Sequence, residues 1–131
     1  MCYKKFDQSK SFLDAEQHCN TQGGNLARIS SEAENKLVGT IGGGGPFWIG
    51  LWSGGNSCFK DRHSGVWTDG TPGNGFSRWR TQFLHSEPDC YKKESGAGMG
   101  VFFNHEPHNN LWDDDSILRL LPFVCGMFEG K

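Results

Sequence analysis

Phe47-Trp48-Ile49-Gly50-Leu51-Trp52 is a nearly continuous apolar run, with Pro46 just before it and Gly54-Gly55 just after. A short run of this kind, rich in aromatics and punctuated by Gly and Pro, reads as a strand at the centre of a sheet. The chain upstream alternates helix and extended signals. Ser31-x-x-Glu34 is a capping box that starts a helix, with Ala33, Leu37 and Ile41 expected on one face. Gly42 to Gly45 ends that helix and Pro46 forbids its return. Before it, Asn25 to Ile29 reads as an extended piece with Leu26 and Ile29 inward. Earlier still, Ser11 is a candidate N-cap and Asp14 a first-turn acid. Phe12, Ala15 and Cys19 recur at i, i+3 and i+7, so Cys19 is expected on a buried helical face. Gly23-Gly24 stops this first helix, and Tyr3 to Phe6 reads as a short first strand.

Downstream of the central run the composition changes. From Ser53 to about Gly98, Gly, Ser, Asn, Asp and Pro dominate, with scattered aromatics. An irregular stretch of this length inside a compact domain points to a functional loop. Gly65-Val66-Trp67-Thr68-Asp69-Gly70 reads as a strand fragment running into a turn, and Phe76-Ser77-Arg78-Trp79 as an anchor. Trp67 and Trp79 are expected to pin the loop to the core. Gly100-Val101-Phe102-Phe103 and Pro122 to Phe128 complete the strands. No repeat or linker divides the chain, so 1–131 is expected to be a single domain.

Net charge is −2, which leaves no basic footprint for nucleic acid. No apolar run is long enough to span a membrane. Cys2-Tyr3-Lys4-Lys5 follows Met1 without an apolar region, so the chain reads as a mature or excised domain. The five cysteines, at 2, 19, 58, 90 and 125, form no C-x-x-C pair. Their wide spacing favours disulfides, and hence a secreted protein or the extracellular domain of a cell-surface protein. The odd count leaves one thiol over.

Two acid clusters carry the chemistry: Glu87-Pro88-Asp89 with Glu94, and Trp112-Asp113-Asp114-Asp115. Clustered carboxylates are hard oxygen ligands that suit Ca²⁺. Taken alone, the second cluster reads equally as an acidic turn. His85, His105 and His108 invite zinc, but no tetrahedral set is evident. No nucleophile–base pair is visible, so the protein is not read as an enzyme.

The order of these motifs resembles a C-type lectin-like domain over essentially the whole chain. The matching pieces are Ala15-Glu16-x-x-Cys19, Gly24-Asn25-Leu26-Ala27-x-Ile29, Glu34, Trp48-Ile49-Gly50-Leu51 and Val66-Trp67-Thr68-Asp69-Gly70. Trp79, Glu87-Pro88-Asp89, Trp112-Asp113-Asp114 and Phe123-Val124-Cys125 complete the series. The resemblance implies an α+β fold, in which two helices flank antiparallel sheets and a long loop binds ligand. It implies a Cys19–Cys125 disulfide. The family's second disulfide has no counterpart, since its places hold Met99 or Gly100 and Ile117; Cys58 and Cys90 are expected to pair instead. Cys2 matches a family cysteine whose partner lies upstream.

In the family's sugar-binding members, Ca²⁺ is held by the residues flanking the loop proline, a later Glu, and the Asn and Asp after the strand's Trp. Here these positions are Glu87, Asp89, Glu94, Asp113 and Asp114, which are expected to bind both metal and sugar. Glu-Pro-Asn accompanies mannose-type sugars in the family and Gln-Pro-Asp galactose-type. This chain has Glu-Pro-Asp, with Asp113 where Asn is usual. A carboxylate only accepts hydrogen bonds, whereas an amide also donates. The set should therefore hold Ca²⁺ firmly yet lack the donors that read a sugar. Substitute donors are Asn104, Asn109, Asn110, His85 and His108, with Phe83 or Trp52 as a stacking platform. The resemblance implies a Ca²⁺-dependent lectin module whose partner is a glycan, with mannose-type slightly favoured over galactose-type. The alternative is a lectin-like domain that binds protein or another non-sugar ligand.

Overall fold

The computed structural model describes residues 2–44, 46–52, 65–73, 75–76, 98–103, 111–116 and 119–127, with 98–103 and 113–116 described by backbone alone. The elements in chain order are β1 (Cys2–Lys10), α1 (Phe12–Thr21), β2 (Gly24–Leu26), α2 (Glu32–Gly42) and β3 (Phe47–Trp52). They continue with β4 (Val66–Trp67), β5 (Gly98–Phe103), β6 (Leu111–Ser116) and β7 (Leu121–Met127). One mixed sheet runs in the order β1-β7-β3-β5-β6, with β2 on β7 and β4 on β3. Every pairing is antiparallel except β3 with β7, which meet in parallel at Trp48 and Phe123.

The central placement of Phe47–Trp52 follows from burial on both faces. Successive strand residues point to opposite sides. Phe47, Ile49 and Leu51 join one core cluster with Val38 of α2, Trp67, Trp112 and Val124. Trp48 joins the other, with Phe12, Ala15 and Cys19 of α1, Leu121, Phe123 and Cys125. The two helices therefore serve different clusters, with the sheet between them. The Trp48 indole is fully buried, and its N–H is satisfied by the Lys10 carbonyl at 2.8 Å. Gly50 sits where a Cβ would press on the Leu26 carbonyl oxygen, 2.8 Å away. The missing side chain lets the Gly50 N–H reach the Ala27 carbonyl at 2.9 Å, tying the central strand to the extended piece before α2.

The α1 face is the expected one: Phe12, Ala15 and Cys19 are buried, and Ser11 caps through its hydroxyl, which accepts from the Asp14 N–H. Cys19 and Cys125 form the disulfide that the resemblance implied, with Cα atoms 5.5 Å apart and a sequence separation of 106. Among the described cysteines Cys2 is free and exposed. Cys58 and Cys90, expected to pair, lie outside the described residues, as does Trp79.

The α2 face differs from expectation. The Ser31 cap is present, with Glu34 N–H on the Ser31 hydroxyl at 3.1 Å, and the Glu34 carboxylate reaches back one residue beyond the cap to accept from Ser30 N–H at 2.7 Å. The buried residues, however, are Asn35, Val38, Gly39 and Gly42. Ala33 and Leu37 are exposed, and Ile41 is only half-buried. Apolar periodicity selects Leu37 over its neighbour Val38 because it gives no weight to glycine or asparagine. Two local facts reverse the choice. A side chain at Gly42 would collide with the Phe47 ring, so this face packs close only because it is bare. Asn35 can be buried because its amide is hydrogen-bonded.

Candidate functional site

Trp112 organises the part of the site that the structure describes. It lies in β6, fully buried. Its ring meets Trp67 edge-on at 5.7 Å and Phe76 at 6.0 Å. Its indole N–H donates to the Asn35 side-chain oxygen at 2.9 Å. Trp112 pairs with Phe102 of β5, which sets Asp113 opposite Val101 and Asp114 opposite Gly100. A one-residue slip would carry the indole to the other face of the sheet, so its burial fixes the register of both acids. Among the described strands β6 ends the order, which puts the acid pair at that edge of the sheet. Asp113-Asp114-Asp115 is thus a stretch of strand; the alternative reading as an acidic turn does not hold. Strand propensity misses it because Asp is depleted in strands, and the preceding tryptophan was the usable signal.

The base of the long loop is braced from the N-terminal third of the chain. The Trp67 N–H reaches the Thr71 carbonyl and the Thr68 N–H the Gly50 carbonyl, each at 2.8 Å. Gly70 holds a φ of +95°, a left-handed position that suits glycine, and closes the turn. Arg28 then clamps it: its guanidinium donates to Asp69 at 2.7 Å and to the Thr71 hydroxyl at 2.9 Å. Sequence reading overlooked Arg28, because nothing local marks a partner 41 residues away. A second hub is Glu16, named in the Ala15-Glu16-x-x-Cys19 motif but without a role. Its carboxylate accepts from Leu26 N–H at 2.9 Å and from the Asn25 amide at 2.6 Å, locking α1 to β2.

Tyr3 completes this brace. Its hydroxyl donates to the Arg28 carbonyl at 2.9 Å. Burial pushes its pKa up to about 12, and the Glu34 charge adds to the rise while Arg28 opposes it. The unfolded phenol titrates near 10. Between these two values the unfolded chain has lost the proton that the folded chain keeps, so stability falls as pH rises through the window. The Tyr3 contribution is complete below about pH 10 and gone above about pH 12. The expected result is a steeper alkaline loss of stability in the wild type than in Tyr3→Phe, read by urea denaturation from pH 9 to 12; parallel curves would contradict it.

Of the expected ligands, Asp113 and Asp114 are consecutive residues of β6, described by backbone. Glu87, Asp89 and Glu94 lie outside the described residues. Among the described residues no group of three or more His, Cys, Asp or Glu converges as a metal site. The donor chemistry nonetheless fits a hard cation: all five expected ligands are carboxylates. Trp52, considered as a stacking platform, has its ring lying along Phe12 at 6.2 Å.

Comparison with known proteins agrees with this fold. The lectin C-type domain family matches residues 8–127, and the chain belongs to that family. A lectin from Pleurodeles waltl is 34% identical over 127 residues, covering 94% of this chain and 67% of the relative. Lactose-binding lectin l-2 from Anguilla japonica is 31% identical over 126 residues, covering 95% and 70% respectively. A calcium-independent type II antifreeze protein shares the fold at a TM-score of 0.73 and 23% identity, over 95% of this chain and 83% of its own. The chain spans between about half and three quarters of the curated relatives it matches. Among the described residues no helix is long and apolar enough to cross a membrane.

Proposed function

We propose that this chain is a single Ca²⁺-dependent carbohydrate-binding module of a secreted or cell-surface protein, acting by binding and not by catalysis. Ca²⁺ is held by Glu87, Asp89, Glu94, Asp113 and Asp114, and a glycan docks on the metal through adjacent hydroxyls. The observation that carries this reading is the Asp113–Asp114 pair, set at the sheet edge directly after a tryptophan locked by packing and a hydrogen bond. The Cys19–Cys125 bridge supports an oxidising compartment. Mannose-type glycans stay ahead of galactose-type. The eel relative's name carries lactose, but Glu87 stands where the galactose pattern has Gln.

A second reading has its own observation. Asp89 and Asp113 occupy places where an amide would donate to a sugar hydroxyl. If no other donor replaces them, the module binds a non-sugar ligand such as a protein, with Ca²⁺ shaping the loop. A glycan array run in Ca²⁺ and again in EDTA separates the two. Carbohydrate binding predicts signals that vanish with EDTA; an array blank in both conditions moves the function to the second reading.

A further inference from the structure

We infer that Asn35 is a positioning residue for the acid pair of β6, acting from α2 through the indole of Trp112. Asn35 is the only polar or charged residue fully buried among the described residues. An apolar side chain would fill such a place without needing a partner, as Val38 does one turn along the same face. The amide instead accepts from the Trp112 N–H at 2.9 Å, joining positions 77 residues apart.

The bond supplies something that packing does not. Ring contacts with Trp67 and Phe76 fix where the indole sits. An indole can be turned in two ways about such a position. A directional N–H to oxygen bond selects one of them. Trp112 is joined directly to Asp113, so the chosen orientation sets the backbone from which both acids spring. Asn35 is well placed to act as a fixed point. It lies in the first turn of a capped helix, where its N–H bonds the Ser31 carbonyl at 2.9 Å and Ser31 caps Glu34. The chain of support runs from the Ser31 cap to Asn35, to Trp112, to Asp113 and Asp114.

The inference rests on the Ca²⁺ reading above, and the test separates the two. Ca²⁺ affinity is measured by calorimetry for the wild type, Asn35→Leu, Trp112→Phe and the double variant. Val38→Ala serves as the control, since it loosens the same helix without touching the bond. Loss of a group that orients metal ligands weakens metal binding by about 10–100-fold, and about tenfold is expected for Asn35→Leu. Trp112→Phe should match it, the double variant should be no worse than either, and Val38→Ala should bind like the wild type. In Ca²⁺-free protein the Trp112 indole N–H should exchange with solvent faster in Asn35→Leu than in Val38→Ala, read by NMR. Equal affinities for Asn35→Leu and Val38→Ala, with equal exchange, would overturn the assignment. Should Asn35→Leu not fold, Trp112→Phe carries the same comparison, and wild-type affinity in it overturns the assignment too. If the wild type itself binds no Ca²⁺, the site reading fails; the exchange comparison still decides whether Asn35 orients the indole.

Discussion

Replacing Cys19 and Cys125 together by alanine is expected to cost about 3–5 kcal/mol of stability, from the chain entropy released when so long a loop is opened. The bridge spans 106 residues, nearly the whole chain. Both cysteines are fully buried in the cluster that holds Phe12, Trp48 and Phe123, so alanine also leaves the sulfur volume unfilled there. Domains of this size are stable by about 5–15 kcal/mol, so the variant should sit close to the edge of folding. Guanidinium denaturation of wild type and double variant measures the difference. Cys2→Ser is the control: Cys2 is free and exposed, and a surface change of this kind is worth within about 0.5 kcal/mol. A double variant as stable as Cys2→Ser would mean that the bridge joining α1 to β7 does not hold the fold together.

The second large effect concerns the amides. Asp89→Asn with Asp113→Asn replaces two carboxylates by groups that both accept and donate. Ca²⁺ affinity should fall, by about tenfold or more, because two formal charges leave the ligand set. Binding of mannose-type glycans at saturating Ca²⁺ should rise in the same variant, because each new amide can donate to a sugar hydroxyl. The two quantities are expected to move in opposite directions, which separates this effect from simple damage to the loop. An isothermal titration with a mannose-type oligosaccharide reads it. No gain in sugar binding while Ca²⁺ still binds would refute the donor argument and leave the five-acid set as a design for another ligand.

How much of this the sequence disclosed depended on whether the signal was local. Phe47–Trp52 was legible because burial on both faces makes a strand apolar throughout, and the structure places it mid-sheet between two core clusters. The first helix was legible because its apolar residues alone define its face. The second was legible as a helix, but its inner face was misassigned because it is built from what apolar periodicity ignores: two buried glycines, of which Gly42 permits the close approach of Phe47, and an asparagine made tolerable by a partner 77 residues away. Residues 3–6 gave only part of a strand that runs over Cys2–Lys10, since Gln8 and Ser9 carry no strand signal of their own and lie where the register against β7 shifts, between the Phe6–Phe123 and Lys10–Leu121 pairs. The acid stretch after Trp112 shows the same limit. Its residues disfavour a strand, and β5 with the buried indole imposes one. For the candidate site, residue types and order were readable, and the resemblance said which acids belong together. What orients Trp112 ahead of Asp113 and Asp114 was not readable, because its partner, Asn35 on α2, acts across the fold.

Ca²⁺ binding by the five acids is tested most directly by a thermal melt of the wild-type protein with Ca²⁺ and with EDTA. A ligand present at about 100 times its Kd stabilises the folded state by about 2.7 kcal/mol. In a domain of this size that corresponds to a rise in Tm of roughly 10 °C. Magnesium at the same concentration should give much less, since it demands a tighter octahedron than a set of loop carboxylates supplies. A Ca²⁺-specific rise that EDTA reverses is expected; a melting temperature indifferent to Ca²⁺ would contradict Ca²⁺ binding by these acids.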